Sequence, residues 1–114
     1  MTKVLFVDDD RNTADALSDI AAALGHRPSV AYTGACALQV ASSARFDLVF
    51  LDLSLPDADG RTVCRQMRDL KVAKIYALTG YTETKAADDL EIFDGCFVKP
   101  LCIDRLQALL AAHW

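Results

Sequence analysis

Apolar and polar residues fall along this chain in alternating blocks of two kinds. Lys3–Val7 (KVLFV) is a short apolar run, rich in β-branched and aromatic residues, that stops abruptly at Asp8-Asp9-Asp10. Beyond it, Ala14, Leu17, Ile20, Ala21 and Leu24 recur at helical spacing and predict a helix with one buried stripe. Asn12 or Thr13 is placed to cap that helix, because either side-chain oxygen can accept from its free amides. Gly25 suits the C-terminal end. Ser29–Tyr32 reads as a second, weaker strand, with Pro28 indicating a sheet edge or a strand start. Thr33 then caps a helix over about Gly34–Ser43.

Leu48–Leu51 (LVFL) is a third strand, apolar throughout. Continuous apolarity implies burial on both faces, as in a parallel sheet. Leu53–Gly60 follows as a loop punctuated by Pro56 and Gly60. Arg61–Leu70 is helical, with Val63, Met67 and Leu70 on one side. Lys74–Leu78 (KIYAL) is the fourth strand, and Thr82 or Thr84 opens a helix to about Phe93. Cys96–Val98 is a short fifth strand, and Ile103 to about Ala112 closes the chain as a helix. This succession of β–α units argues for an α/β fold. The expectation is a five-stranded parallel sheet of order 2-1-3-4-5 with helices on both faces, flavodoxin-like and doubly wound. The units run through residues 1–114, which reads as a single domain.

Composition narrows the function classes. The 114 residues match one domain's length. At 53% hydrophobic and 25% charged, the chain can bury a core, which excludes disorder as its main state. Lys and Arg number 12 against 16 Asp and Glu, a formal charge of −4. Direct nucleic-acid binding needs a basic face, so this balance argues against it. No apolar run reaches the roughly 18–20 residues of a membrane span. Met1-Thr2-Lys3 leads straight into a strand without a signal-peptide layout, so the expected location is cytoplasmic. Cys36, Cys64, Cys96 and Cys102 form no Cys-x-x-Cys pair and have no His nearby. A zinc site is therefore poorly supported, and free thiols in or near the core are expected.

The polar chemistry sits where strands end. Strand one ends in Asp8-Asp9-Asp10, strand three in Asp52, strand four in Thr79 and strand five in Lys99. In open parallel sheets, ligands bind outside the carboxyl ends of the strands, near the switch in strand order. Order 2-1-3-4-5 would bring Asp8, Asp9 and Asp52 face to face, with Thr79 and Lys99 on the far side. Carboxylates so close repel, and a hard divalent ion removes the repulsion. Mg²⁺ takes oxygen ligands, one or two carboxylates plus phosphate oxygens. A carboxylate beside such an ion can attack phosphorus. Thr79 offers a hydroxyl and Lys99 a compact cation, both suited to phosphoryl oxygens. The constellation reads as aspartyl phosphorylation. Asp10, Asp57 and Asp59 read as solvated loop residues, and His26 and His113 as surface or helix-end residues with no catalytic part.

The stretches VLFVDDD (4–10), FDLVFLDLSLPDADG (46–60), ALTGY (77–81) and FVKPL (97–101) together resemble the response-regulator receiver domain of two-component signal transduction, the CheY-like family. The resemblance runs from one end of the chain to the other. It implies that Asp52 is the phosphoacceptor and Asp9 a direct ligand of Mg²⁺, with Mn²⁺ an acceptable substitute. Asp8 matches the partner that acts through a metal-bound water, and Ser54 the position whose backbone carbonyl completes the metal site. Thr79 matches the switch hydroxyl, and Lys99 the lysine that pairs with the phosphoryl group. Lys99-Pro100 matches a bond that can be cis, and Pro56 and Gly60 match the residues that shape the loop. The implied donor is a histidine kinase or histidine phosphotransfer protein. The implied output is a conformational change or a downstream protein bound through the fourth helix, fifth strand and fifth helix. Such a domain catalyses its own phosphorylation and dephosphorylation and is not a conventional enzyme.

One position departs from the family pattern. Three residues before Lys99, where the family usually carries Tyr, Phe or sometimes His, this chain has Cys96. Phe97 is one position on, and in a strand faces the other side. The alternative reading is therefore a pseudo-receiver, an interaction module with atypical switching. A haloacid-dehalogenase-type phosphatase needs a second acid two residues after the nucleophile, where this chain has Ser54. A flavodoxin-like nucleotide binder needs a Gly-rich first loop, where this chain is Asp-rich and would repel phosphate.

Overall fold

Each central strand of the sheet is apolar on both sides, and this decides the layering. In the computed structural model, residues 3–53, 55, 60–70, 72, 74–79, 93–98 and 103–111 are described, with the backbone alone at 61, 79, 96, 98, 103 and 111. The strands are β1 (Lys3–Val7), β2 (Arg27–Ala31), β3 (Leu48–Asp52), β4 (Lys74–Thr79) and β5 (Gly95–Val98). They pair in parallel in the order β2-β1-β3-β4-β5. The helices are α1 (Arg11–Ala23), α2 (Gly34–Ser43), α3 (Gly60–Arg68) and α4 (Ile103–Ala111). The helix expected from Thr82 or Thr84 lies outside the described residues.

Side-chain alternation along the strands sorts the core into two layers. Leu5, Val7, Val49, Leu51, Ile75 and Ala77 pack with Ala37 and Ala41 of α2 and with Val63, Cys64 and Met67 of α3. On the opposite face, Val4, Phe6, Leu48, Phe50, Tyr76 and Leu78 pack with Leu17 and Ala21 of α1 and with Leu106 and Leu110 of α4. That second face carries a row of rings, one from each of β1, β3, β4 and β5. Phe6 stacks on Phe50 at 5.3 Å and 11°. Phe50 meets Tyr76 at 5.7 Å, and Tyr76 meets Phe97 at 5.5 Å. The Arg105 guanidinium closes the row 5.4 Å from the Phe97 ring. Gly95 leaves the room this needs, since a Cβ there would stand 2.8 Å from the Tyr76 ring.

Several boundaries differ from the expected ones. Asp10, and not Asn12 or Thr13, caps α1. Its carboxylate accepts from the Asn12 and Thr13 amides and from the Thr13 hydroxyl, so this exposed residue has a structural task. Strand β2 starts two residues early and includes Pro28, paired in register with Val4. The edge position tolerates a residue without an N–H. Helix α3 ends at Arg68, which leaves Leu70 exposed. Cys64 is buried, and burial pushes its thiol pKa up. Cys36 is exposed because α2 turns Gly34, Ala37 and Ala41 inward. Cys102, His113 and the Cys96 side chain lie outside the described residues. Among the described residues, no helix is long and apolar enough to cross a membrane.

His26, expected at the surface or at a helix end, stands just past the end of α1 and is buried, only 6% exposed. Gly25 takes φ +88°, a left-handed turn suited to glycine. The chain then folds back so that the His26 amide donates to the Ala21 carbonyl. Burial holds the imidazole below its ordinary pKa of 6.5, so the folded state keeps it neutral. This contribution to stability is complete above about pH 6.5. It declines as the pH falls from there towards the lowered folded value, because the unfolded chain takes up the proton first. Urea unfolding between pH 7.5 and 5 should show a falling stability that His26→Gln flattens. An equal slope in both proteins would contradict the assignment.

Candidate metal-binding site

The sheet register builds the site. Val7 of β1 pairs with Leu51 of β3, so the next residues, Asp8 and Asp52, leave neighbouring strands side by side. Adjacent strands are about 4.8 Å apart. The two residues also share the side-chain parity of Phe6 and Phe50, which places them on the α1 face. Asp8 and Asp52 are buried and Asp9 is exposed. One carboxylate oxygen from each of the three lies within 4.8 Å of the others. The structure thus brings together the three carboxylates singled out in the sequence.

The surrounding backbone fixes this turn. The Asp8 amide donates to the Ala31 carbonyl of β2 at 3.1 Å. The Asp8 Oδ1 accepts from the Asp10 amide at 2.9 Å, and Asp10 caps α1. On the β3 side, Asp52 is in register with Leu78, and the Leu53 amide donates to the Leu78 carbonyl at 3.0 Å. Thr79, the next residue of β4, is in register with Val98 of β5, and Lys99 follows in sequence. The Thr79 side chain, Ser54, Pro56, Asp57, Asp59, Lys99 and Pro100 lie outside the described residues.

Beside this turn lies a cluster that the sequence did not reveal. The Tyr32 hydroxyl donates to Asp15 Oδ1 at 2.6 Å. The Arg11 guanidinium lies 4.4 Å from the centre of the Tyr32 ring. The hydrogen bond to Asp15 holds the Tyr32 pKa above its ordinary 10.0. Arg11 and Asp15 are four apart and share a helix face, but Tyr32 is 17 residues from Asp15, beyond any local pattern.

Chemically, three close carboxylate oxygens form a hard donor set without nitrogen or sulfur. That set fits Mg²⁺ or Mn²⁺. Without a cation, ionised Asp8 and Asp52, both buried, repel by roughly 3–4 kcal/mol at an effective dielectric near 20, while solvent screens the exposed Asp9.

Comparison with known proteins adds ancestry to this geometry. The family model of the response regulator receiver domain matches residues 4–111. Response regulator ArlR of Staphylococcus saprophyticus subsp. saprophyticus is 33% identical over 114 residues, covering 98% of this chain and 52% of ArlR. Sensor histidine kinase AtsR of Burkholderia thailandensis is 31% identical over 113 residues, 94% of this chain and 19% of AtsR. The chain thus spans about half of the one relative and a fifth of the other. Among solved structures, a CheY-like response regulator receiver domain from Methylobacillus flagellatus superposes with a TM-score of 0.90 at 28% identity, over 100% of this chain and 99% of that one. Response regulator TrrA of Thermotoga maritima, solved in complex with Mg²⁺-BeF, superposes at 0.88 and 28% identity over the whole of both chains.

Removing one of the clustered charges should stabilise the metal-free protein. In EDTA, Asp52→Asn should raise the unfolding free energy by about 1–3 kcal/mol, a part of the pairwise repulsion. Urea titration measures this, and a loss of stability would show that the carboxylates are not in conflict.

Proposed function

We propose that this chain, which belongs to the response regulator receiver domain family, is a phosphoacceptor signalling switch with Asp52 as the acceptor. The observation that carries the reading is the convergence of Asp8, Asp9 and Asp52 at the carboxyl ends of β1 and β3. An Asp52 oxygen forms the new bond to phosphorus as the P–N bond to a donor histidine breaks. The donor is a histidine kinase or a histidine phosphotransfer protein. Asp8, Asp9, Asp52 and the backbone carbonyl of Ser54 would hold Mg²⁺. When bound, the ion supplies positive charge that offsets the carboxylates and the transferring phosphoryl group. Thr79 takes the switch hydroxyl's role, and Lys99 pairs with a phosphoryl oxygen.

The chain's own residues prepare the reaction before any donor arrives. Burial of Asp8 and Asp52 strengthens charge interactions by keeping bulk water away. The Asp10 amide orients the Asp8 carboxylate. The exposed Asp9 lies at the entrance, where a hydrated cation arrives. The domain acts on its own Asp52 and turns over no separate substrate. Its output passes to a protein partner through residues 82–93, β5 and α4, and its place is the cytoplasm. Cys96, at the position where the receiver family usually carries Tyr, Phe or sometimes His, supports a second reading as an interaction module with atypical switching.

Two linked measurements test the main reading. Mg²⁺ should raise the melting temperature of the parent, because an ion that binds the folded state alone stabilises it. Asp9→Ala should remove that shift. Beryllofluoride with Mg²⁺ should then perturb the amide spectrum of the parent and leave Asp52→Asn unchanged. No Mg²⁺-dependent shift in the parent, or equal beryllofluoride responses in both proteins, would contradict the reading. A normal beryllofluoride complex without any change across residues 82–93, β5 and α4 would favour the interaction module.

A further inference from the structure

We propose that Arg11, Tyr32 and Asp15 form a clamp that positions the metal-binding turn, so that these three residues set Mg²⁺ affinity without touching the ion. The inference rests on the metal site proposed above and assigns it three positioning residues.

The contacts form a closed ring. Asp8 gives its amide to the Ala31 carbonyl at 3.1 Å. Ala31 is joined to Tyr32 by the chain. Tyr32 gives its hydroxyl to Asp15 at 2.6 Å and takes the Arg11 guanidinium on its ring at 4.4 Å. Arg11 and Asp15 occupy successive turns of α1. The start of α1 leads back through its cap, Asp10, whose amide holds Asp8 Oδ1 at 2.9 Å. The acidic turn is thus tied to β2 at one point and, through the clamp, to the segment just after β2 at another.

A turn tied at two points keeps Asp8 and Asp9 near their metal-bound arrangement despite mutual repulsion. With the clamp open, the start of α1 is free to swing outward. The carboxylates would separate, and the cation would have to draw them back. Outer contacts of this kind act on affinity through preorganisation. The ring stacking and the short hydrogen bond use different atoms of Tyr32, so each can be removed alone. Arg11 and Asp15 are exposed and Tyr32 is half-buried, so replacing them leaves the core intact.

The sign of the Arg11 effect separates positioning from plain electrostatics. Arg11 is a cation beside a cation site. Electrostatics alone predicts that Arg11→Gln binds Mg²⁺ more tightly, because a repelling charge is gone. Positioning predicts weaker binding. Tyr32→Phe changes no charge at neutral pH and removes only the bond to Asp15.

The test is titration of the parent, Tyr32→Phe and Arg11→Gln with Mg²⁺ alone, followed by the amide signals of residues 8–10 and 52, with melting in EDTA alongside. Direct outer-shell partners of a metal ligand change affinity about 10–100-fold, so a clamp one contact further out should weaken it about three- to tenfold in each variant. Melting in EDTA should change little. Parent-like Mg²⁺ affinity in Tyr32→Phe, or tighter binding in Arg11→Gln, overturns the clamp. A fall in melting temperature with unchanged affinity overturns it as well, since the contacts would then be structural only. If the parent itself has no saturable Mg²⁺ site, the proposed function fails, and the clamp with it.

Discussion

Like charge held together against its own repulsion is the constraint on which the rest of this structure depends. Three carboxylates with oxygens within 4.8 Å of one another would separate in a flexible chain. Here Asp8 and Asp52 are set side by side, because they directly follow paired positions of the two central strands β1 and β3. Those strands are buried on both faces, and the stacked rings of Phe6 and Phe50 lie two residues before the two aspartates. A conflict of a few kcal/mol is a large share of a domain's net stability of about 5–15 kcal/mol. The core must outweigh it, and a bound cation relieves it. The same feature therefore costs stability and creates the site.

The three adjacent aspartates divide the work among them. Asp8 is buried and oriented by a backbone amide. Asp9 is exposed at the entrance. Asp10 turns away to cap α1 with both carboxylate oxygens. Successive residues at a strand-to-helix turn point in different directions, so one short acidic run supplies a buried carboxylate, an exposed one and a helix cap. Placing the cap and the clustered Asp8 in one turn also couples the carboxylate cluster to the position of α1.

Much of this was legible in the residue order, for physical reasons that also explain the misses. Strand β1 was clear because apolar Val7 meets Asp8 without a transition. Helix α2 was clear because Thr33 stands directly before it and accepts from the Cys36 amide. The α/β class followed from apolar runs alternating with helical stripes, and the grouping of Asp8, Asp9 and Asp52 followed from strand ends. The cap of α1 is not legible in sequence because Asp10 stands within a uniform acidic run. The burial of His26 is not legible in sequence because it depends on the left-handed turn at Gly25. Cys36 is exposed because α2 buries Gly34, Ala37 and Ala41 instead, and Leu70 is exposed because α3 ends two residues before it. The clamp was out of reach, since Tyr32 meets Arg11 and Asp15 only after β2 has paired with β1. Local polarity and spacing are written in the chain, whereas contacts across strands exist only once the sheet has formed.

The central claim is that Asp52 is the residue that takes the phosphoryl group, and one measurement reaches it directly. The protein is incubated with acetyl phosphate and Mg²⁺, and the acyl phosphate is reduced with borohydride, which converts a phosphorylated aspartate into homoserine. Tandem mass spectrometry then locates the new residue. The account predicts homoserine at position 52, dependent on Mg²⁺. Homoserine at another aspartate, or none in a protein that binds Mg²⁺, would contradict it.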